Sequence, residues 1–478
     1  MKKIALHWQI LIALIIAIIY GLVFPSSYKI DDASLEKMAK ANKDSVLIQE
    51  LETFKGETWQ ARSRYIQDIK AKTGEDFYQT HRKDILEAAY HNPEVTSISW
   101  MGDIFLRALK MLIIPLILSS IISGVTNIGS GSNLGRLGLK TILYYLTTST
   151  LAIITGLFMV NIIRPGIGAD LSLMQEVENF GEYKNLGQIL IEIVPENIFT
   201  ALSNANMLSI IFFAILFGFF ITQTSSKAKD TLKDFFNSVF EVMMKITLWV
   251  IRFTPLGILG IVSKVVADQD NPADLVSSMG LYMATVLGAL MIHAIITLPV
   301  LLRVIGKINP IKHIQAMFTP ILTAFSTSSS GATLPLTMNA AEKNAGVSNK
   351  ISSFTLPLGA TINMDGTALY ECVAAMFIAQ AYGYDLGITD QIIVVITALL
   401  ASIGAAAIPM AGLVMITVIL SAVGLPLEGV GLILAVDRIL DMFRTATNVW
   451  SDSSGAAIIA SSEKEKLKVA IANKNDSR

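Results

Sequence analysis

The stretches Ser326-Thr-Ser-Ser-Ser-Gly-Ala-Thr-Leu-Pro335 and Ser402-Ile-Gly-Ala-Ala-Ala-Ile-Pro409 are two apolar segments, each interrupted by small residues and a proline. Backbone that is broken at membrane depth is tolerated only where it is buried in protein or lines a cavity. A matched pair of such segments is therefore typical of a transporter site built from an internal repeat. From these segments alone, two helix–helix contacts made through Ser and Gly residues remain the alternative.

The composition of the rest of the chain predicts an all-α polytopic membrane protein. Of its 478 residues, 53% are hydrophobic and 16% are charged, whereas about a quarter of the residues of soluble globular proteins are charged. Apolar runs of about 20 residues can each cross the hydrocarbon core as a helix. Nine such runs lie near residues 4–25, 103–125, 141–163, 205–222, 236–267, 279–305, 353–380, 391–424 and 428–460.

Charge and cysteine content exclude several other classes of function. The formal net charge is −1, so no general basic attraction draws the chain to nucleic acid. The single cysteine excludes an internal disulfide framework. The five histidines show no spacing typical of a zinc site.

Charged residues in the short loops predict the orientation in the membrane. The first apolar run follows Met1-Lys2-Lys3 and lacks a small-x-small cleavage site, so we interpret it as a retained membrane helix. Basic loops and the tail from Lys464 place both termini in the cytoplasm, and the acidic segment 268–274 falls outside. The basic loop residues are Arg136, Lys140, Lys227, Lys229, Lys233, Arg303, Lys307 and Lys312.

Residues 27–98 form a polar insertion with 24 of the chain's 75 charged side chains. The predicted orientation puts it on the extracellular or periplasmic side, since loops longer than about 60 residues translocate largely regardless of charge. Its pattern predicts amphipathic helices with few turns. Two interpretations remain open, a ligand-binding or partner-binding cap and a solvated helical insertion.

The last apolar run has a polar stripe. At 100° per residue, one arc of roughly 100° contains six polar residues, namely Asp437, Asp441, Arg444, Thr445, Asn448 and Asp452. The opposite side has Ile439, Phe443, Ala446 and Trp450. Charges at membrane depth must face a cavity or one another, so the stripe indicates a buried site or a self-neutralising set of ion pairs around Asp441.

The preceding segment Asn363-Met-Asp-Gly-Thr367 predicts a break in a helix. On a regular helix Asp365 would point about 160° away from Asn363, and Gly366 suggests unwinding at that point. Unwinding exposes carbonyl oxygens, and a set of oxygen ligands without Cys or His suits an alkali cation. The sequence therefore predicts ion-coupled transport.

Four motifs give the chain a family resemblance: TAFSTSSSGATLPLTM, PLGATINMDGTALYE, ASIGAAAIPMAGL and DRILDMFRTATNVWSD. They resemble the dicarboxylate/amino acid:cation symporter family, which includes archaeal aspartate transporters and animal excitatory amino acid transporters. The resemblance implies a homotrimer, eight membrane helices, two re-entrant helical hairpins and an elevator-like movement of a transport region. The expected parts are a first helix at 1–26, the insertion at 27–98, helices two to six at 99–310, the transport region at 311–462 and a cytoplasmic tail at 463–478.

The resemblance also implies the site residues. It assigns Arg444 to the side-chain carboxylate of the substrate and Asp441 to its amino group, completed by Ser329, Ser330, Thr367, Ile408, Gly412, Thr445 and Asn448. One implied sodium site has Gly359, Asn363, Asn448 and Asp452. A second has Thr361, Met364, Ser402, Ile403 and Ala405, and a third has Tyr145, Thr148, Ser149, Asn363 and Asp365.

Glu371 is the candidate for proton coupling. It follows Thr367 by four residues, on roughly the same helix face, among apolar neighbours that disfavour a charged carboxylate. Archaeal relatives have glutamine here and lack proton coupling, whereas animal relatives have glutamate and couple to a proton, with potassium on the return. The alternative is a permanently neutral Glu371 that is hydrogen-bonded to the scaffold.

The chain departs from the family pattern at two places. Archaeal members have an arginine where this chain has Ser328, and animal members have one where it has Met442; Arg438 is the candidate substitute. Ala407 replaces a common glycine at the tip of the second hairpin.

Together these features predict a multi-pass symporter of the inner or plasma membrane that imports L-glutamate or L-aspartate with Na⁺, and with H⁺ and K⁺ as possible further coupling ions. No organic cofactor, nucleic acid or covalent chemistry is expected. A C4-dicarboxylate symporter on the same fold is the first alternative, and a membrane-embedded enzyme or an anion channel is the alternative from another class.

Overall fold

A computed structural model describes residues 6–40, 44–128, 134–169, 191, 193–404 and 411–471. These residues are mainly helical. The longer helices are α1 Leu6–Val23, α2 Asp32–Lys40, α3 Ser45–Glu52, α4 Arg62–Thr73, α5 Glu75–Ala89, α6 Pro93–Ile128, α7 Leu134–Ile163, α8 Ile198–Ser203, α9 Met207–Gln223, α10 Ser226–Ile251, α11 Thr254–Ala267, α12 Pro272–Ile292, α13 Leu298–Val304, α14 Pro310–Thr327, α15 Ser330–Ala340, α16 Asn349–Ile362, α17 Asp365–Ala381, α18 Ile388–Gly404, α19 Ala411–Ala422 and α20 Val430–Ser462.

Long apolar helices make this a membrane protein. Within the described ranges, three helical stretches are long and apolar enough to span a membrane, and a fourth is possible if a pair bent by 54° forms one broken span. The three are Pro93–Thr126, Arg136–Ile163 and Ala273–Val304, and the bent pair is α10 with α11. The expected number of eight membrane helices stays a prediction.

The insertion contains a small sheet that the helical pattern did not predict. Strands β1 Ser27–Lys29, β2 Thr58–Trp59 and β3 Tyr90–His91 pair antiparallel in the order β2-β1-β3. Strands of two or three residues are too short to show an alternating pattern, which explains the omission. The expected helices are present as α2 to α5.

Aromatic side chains give the insertion a hydrophobic core of its own. Tyr28 on β1 stacks on Tyr65 of α4 with ring centroids 5.3 Å apart, and Trp59 lies 4.9 Å from the same tyrosine. The cluster is separate from the cores of the membrane helices. The insertion is therefore a packed unit rather than a loose loop.

The insertion is fastened to the loop between α11 and α12, residues 268–271. The two carboxylate oxygens of Asp270 accept the backbone N–H groups of Arg62 at 2.7 Å and Ser63 at 2.9 Å. Ala61, which precedes α4, has no side chain that could cap this helix, so Asp270 acts as the cap from 208 residues away. Ser26 donates its hydroxyl to Asp268 at 2.5 Å.

Replacing Asp270 by alanine is expected to loosen the insertion from this loop. The change removes two charge-assisted hydrogen bonds and a helix cap, at a cost of about 0.5–2 kcal/mol. Hydrogen exchange of the α4 amides should become faster. Asp76→Ala, an exposed aspartate on the next helix, is the matched control; equal exchange in the two variants would contradict the capping role.

Three interrupted elements pack around α20. The first hairpin consists of α14 and α15, and it turns at Ser328, whose φ of 52° lies in the left-handed region. The second hairpin consists of α18 and α19, and the residues between them, with Ile408, Ala405 and Ala407, lie outside the described part. The third is the break between α16 and α17.

Candidate functional site

The break in the third element lies at Asn363 and Met364, two residues before the expected position. Helix α16 ends at Ile362 and α17 begins at Asp365, so Gly366 is helical. The prediction that Gly366 unwinds the chain was wrong. The residue is needed for close approach instead, because a Cβ there would lie 2.5 Å from the carbonyl oxygen of Arg444 on α20.

The polar stripe of α20 is buried as a whole. All six of its residues are at most 5% exposed, whereas Ile439 is 49% exposed on the other side. Trp450 departs from the expected division, since it is buried and its ring lies 5.3 Å from that of His313, tilted by 35°. The stripe therefore faces the protein interior.

One end of the stripe is an ion-pair cluster around Arg444. Its guanidinium pairs with Asp441 and lies 3.6 Å from Asp437 Oδ1. Arg438 contributes more weakly, with 3.7 Å between Nη1 and Asp441 Oδ2. Asp437 also accepts the Tyr370 hydroxyl at 2.5 Å. The self-neutralising arrangement considered from the sequence is present at this end only.

One nitrogen of Arg444 faces the second hairpin. Nη1, the nitrogen that lies 3.6 Å from Asp437 Oδ1, is buried and has no hydrogen-bond partner among the described residues. A Cβ on Gly412 would clash with this nitrogen, so a larger residue there would require the guanidinium to shift. Arg444 therefore has a donor directed at the hairpin, where an oxygen ligand can accept from it.

The middle of the stripe joins α20 to α17. Asn448 Nδ2 donates to the Thr367 hydroxyl at 3.0 Å, and its Oδ1 accepts the backbone N–H of Gly366 at 2.8 Å. Thr445 donates its hydroxyl to the Asp441 carbonyl at 2.7 Å. Four of the predicted substrate residues, Asp441, Arg444, Thr445 and Asn448, thus share one buried face.

The first hairpin approaches α20 from the other side. Phe325 packs edge-on against Phe443 with 5.0 Å between ring centroids. At the tip, Ser330 is buried and Ser329 caps α15, where its hydroxyl accepts the backbone N–H of Ala332 at 3.2 Å. Ser329 is thus placed by its role as a helix cap.

Oxygen atoms converge at the other end of the stripe. Asp452 Oδ1 accepts from Asn363 Nδ2 at 2.9 Å. A Cβ on Gly359 would lie 2.5 Å from Asp452 Oδ1 and 2.8 Å from the Tyr145 hydroxyl, so the α16 backbone comes close to both oxygens. Three residues of the first implied sodium set are therefore together here, and Asn448 lies one turn away on α20.

A second oxygen cluster lies between α7 and α17. Ser149 donates to Asp365 Oδ1 at 2.7 Å, and the Thr148 hydroxyl lies 3.2 Å from Asn363 Oδ1. The Tyr145 hydroxyl donates to the Thr355 carbonyl at 2.7 Å. All five residues of the third implied sodium set lie in this region.

Two further partners of Asp365 were missed from the sequence. Ser451 donates to Asp365 Oδ2 at 2.6 Å, and His293 Nε2 lies 3.1 Å from the same oxygen. Ser451 lies within the quoted α20 motif and could have been found by its position next to Asp452. The position of His293, in a π-helical turn of another segment, has no such signal.

The remaining implied sodium set is not drawn together by hydrogen bonds in the described part of the chain. Thr361 is exposed and donates to Leu358 O at 3.0 Å, and Ser402 donates to Leu399 O at 2.8 Å. Met364 is buried at the helix break. The side chain of Ile403 and the whole of Ala405 lie outside the description.

The chain was then compared with known families and proteins. The family model described as the sodium:dicarboxylate symporter family matches residues 6–462. The chain belongs to this family. The match extends from α1, through the insertion, to the end of α20, the helix that holds the polar stripe.

Relatives within the sodium:dicarboxylate symporter family are similar over most of their length. Excitatory amino acid transporter 3 of Homo sapiens is 39% identical over 422 residues, which cover 77% of this chain and 79% of the relative. An excitatory amino acid transporter of Caenorhabditis elegans is 37% identical over 407 residues, which cover 76% of this chain and 80% of the relative. Excitatory amino acid transporter 1 of Ambystoma tigrinum is 34% identical over 431 residues, which cover 78% of this chain and 79% of the relative.

Glu371 is a buried carboxylate on the helix that packs against the polar stripe. It is fully buried in α17, and both carboxylate oxygens lack a hydrogen-bond partner among the described residues. Next to it, the guanidinium of Arg444 stacks over the Tyr370 ring at 4.5 Å. The alternative considered from the sequence requires a hydrogen bond that keeps Glu371 neutral. The described residues do not supply such a bond.

Proposed function

We propose that this chain is a sodium-coupled symporter that imports L-glutamate or L-aspartate. The observation that carries the proposal is the buried Arg444, paired with Asp441 and with an unsatisfied Nη1 beside Gly412. The names of the relatives, which are excitatory amino acid transporters, support the same substrate class.

The charges of the Arg444 and Asp441 pair explain why an amino acid would fit. A substrate with a carboxylate and an ammonium can bond to both members of the pair, so neither buried charge is left alone. The fork of the arginine matches a carboxylate, and the aspartate accepts from an ammonium. A C4-dicarboxylate would bring a second negative charge against Asp441, which makes it the weaker candidate.

The two oxygen clusters provide the coupling in this proposal. Their carboxylates, Asp365 and Asp452, are both buried, and an unpaired negative charge inside a protein is costly. A bound sodium ion would neutralise each carboxylate and take oxygens from Asn363 and the α16 backbone. Because the clusters flank the helix break next to Thr367 and Asn448, filling them would order the backbone that the substrate contacts.

The remaining features follow from the family resemblance. We propose a homotrimer in the inner or plasma membrane with both termini in the cytoplasm, eight membrane helices, and a transport region at 311–462 that moves as an elevator. A proton would travel on Glu371, and potassium is the candidate ion for the return step. Neither an organic cofactor nor an enzymatic activity is part of the proposal.

Uptake by purified protein in liposomes tests the function. Labelled aspartate should accumulate against its gradient only with an inward sodium gradient, with a steep dependence on sodium concentration because more than one ion is bound. Asp452→Asn removes a carboxylate that lowers the cost of dehydrating the cation, so the sodium concentration for half-maximal uptake should rise by about tenfold or more.

Asp385→Asn is the matched control, since this aspartate is exposed outside both oxygen clusters. Its sodium dependence should equal that of the wild type. Full uptake with choline in place of sodium would refute sodium coupling, and equilibration without accumulation would favour a channel.

A further inference from the structure

A cleft separates helix α4 of the insertion from the loop 268–271. Its volume is about 720 Å³, within the range of small-molecule sites. The charged side chains that line it are Arg62, Lys70, Glu75, Asp268, Asp270 and Asp274. None of them belongs to the proposed transport site.

Arg62 is the residue that points to a ligand. It lines the cleft, yet it is only 5% exposed, and its Nε has no hydrogen-bond partner among the described residues. No ion pair of its guanidinium occurs in the described part of the chain either. A buried N–H donor that lacks an acceptor is unfavourable, so an oxygen ligand in the cleft that reaches Nε would stabilise Arg62.

The neighbouring carboxylates do not supply that acceptor, because none of those described at the cleft forms a hydrogen bond or an ion pair with the Arg62 side chain. Burial raises the pKa of Asp268, opposed by the Ser26 hydroxyl and by the charges of Lys264 and Arg62. Asp270 caps α4 with both oxygens, and Glu75 binds Lys70 at 2.7 Å.

The balance of charges in the cleft selects the kind of ligand. Four carboxylates face two basic side chains, so a multiply charged anion would be repelled. Carboxylate oxygens have more than one lone pair and can accept a further hydrogen bond. The cleft thus suits one carboxylate at Arg62 and one ammonium at the acidic side.

We propose that this cleft binds a zwitterionic α-amino acid. Its carboxylate would accept the forked hydrogen bonds of Arg62, and its ammonium would donate to Asp270 and Asp274. The ligand would bridge the insertion and the loop between α11 and α12, which Asp270 already joins. This is a second site, separate from transport.

Binding of glycine to the full-length protein in lipid nanodiscs tests the proposal. Calorimetry is done in the Arg444→Gln background, where the proposed transport site has lost its arginine. Glycine should bind equally with and without this change. Acetate and methylammonium, which each offer half of the zwitterion, should bind at least about tenfold more weakly.

Substitutions in α4 assign the binding to the cleft. Arg62→Met should weaken glycine binding by at least about tenfold, and Arg62→Lys, which keeps the charge but loses the fork, should be intermediate. Arg64→Met, at an exposed position on the same helix, should bind glycine like the parent. Hydrogen exchange of the α4 amides shows whether the insertion stays docked in each variant. If Arg62→Met undocks the insertion, the glycine affinity of Arg62→Lys tests the site instead.

Several results would overturn the site. Absence of glycine binding, or equal affinity for glycine in the Arg62 and Arg64 variants, would refute Arg62 as a ligand-binding residue. Acetate binding as tightly as glycine would replace the zwitterion by a simple anion. Glycine binding that disappears with Arg444→Gln alone would assign it to the transport site instead.

Discussion

Replacing Arg444 by glutamine is expected to lower the uptake of aspartate and glutamate by more than tenfold, to the background of empty liposomes. The change removes the buried donor at Nη1, leaves Asp437 without its ion-pair partner and leaves Asp441 with only the weaker partner Arg438. Truncating one partner of a buried charge pair costs about 2–5 kcal/mol, and each 1.4 kcal/mol is about tenfold in affinity. Uptake of radiolabelled substrate in proteoliposomes gives the measurement.

Arg438→Gln is the matched control for this experiment. Arg438 lies on the same helix at 3.7 Å from Asp441, but its side chain is 28% exposed, so its loss should change affinity much less. Unchanged aspartate affinity in Arg444→Gln would refute the assignment. Asp441→Asn separates the substrate classes, since it should impair amino acids more than succinate, and the reverse order would favour a dicarboxylate symporter.

Glu371→Gln is expected to abolish net proton-coupled uptake while sparing exchange of internal for external substrate. Both carboxylate oxygens of Glu371 are buried and lack a hydrogen-bond partner among the described residues. The group can therefore be protonated without breaking an existing hydrogen bond. Glutamine keeps the size but cannot take up or release that proton. An internal pH dye should report acidification during uptake by the wild type and none in the variant.

The control for this second prediction is Glu342→Gln. Glu342 accepts hydrogen bonds from Ser352 at 2.5 Å and Asn349 at 2.9 Å, so its carboxylate already has structural partners. It should leave acidification intact. Wild-type uptake that ignores an imposed pH gradient, without internal acidification, would show that Glu371 is structural.

The sequence predicted the polar stripe well because helical periodicity alone determines it. Asp437, Asp441 and Asp452 needed only their spacing to be assigned to one face. The sequence did not predict features that depend on exact backbone geometry or on contacts with a distant segment. Gly366 suggested the break by its flexibility, but the chain opens at Asn363 and Met364, and Gly366 serves the approach of α20.

Long-range partners were beyond the reach of sequence patterns. His293 and Ser149 meet Asp365 from segments 72 and 216 residues away, and only the family resemblance indicated Ser149. In the insertion, the amphipathic pattern predicted the helices but not the strands. A strand of only two residues, such as Thr58–Trp59, is too short to have a detectable periodicity.

The sheet of the insertion has a consequence for how the chain could be shortened. Ser27 on β1 pairs with His91 on β3, and paired Cα atoms lie about 5 Å apart. The chain therefore leaves α1 and enters α6 at nearly the same point. Asn92 reinforces this by donating its amide to the Phe24 carbonyl at 2.8 Å. A tight turn of a few residues could thus replace the whole excursion and still join the two helices at their present distance.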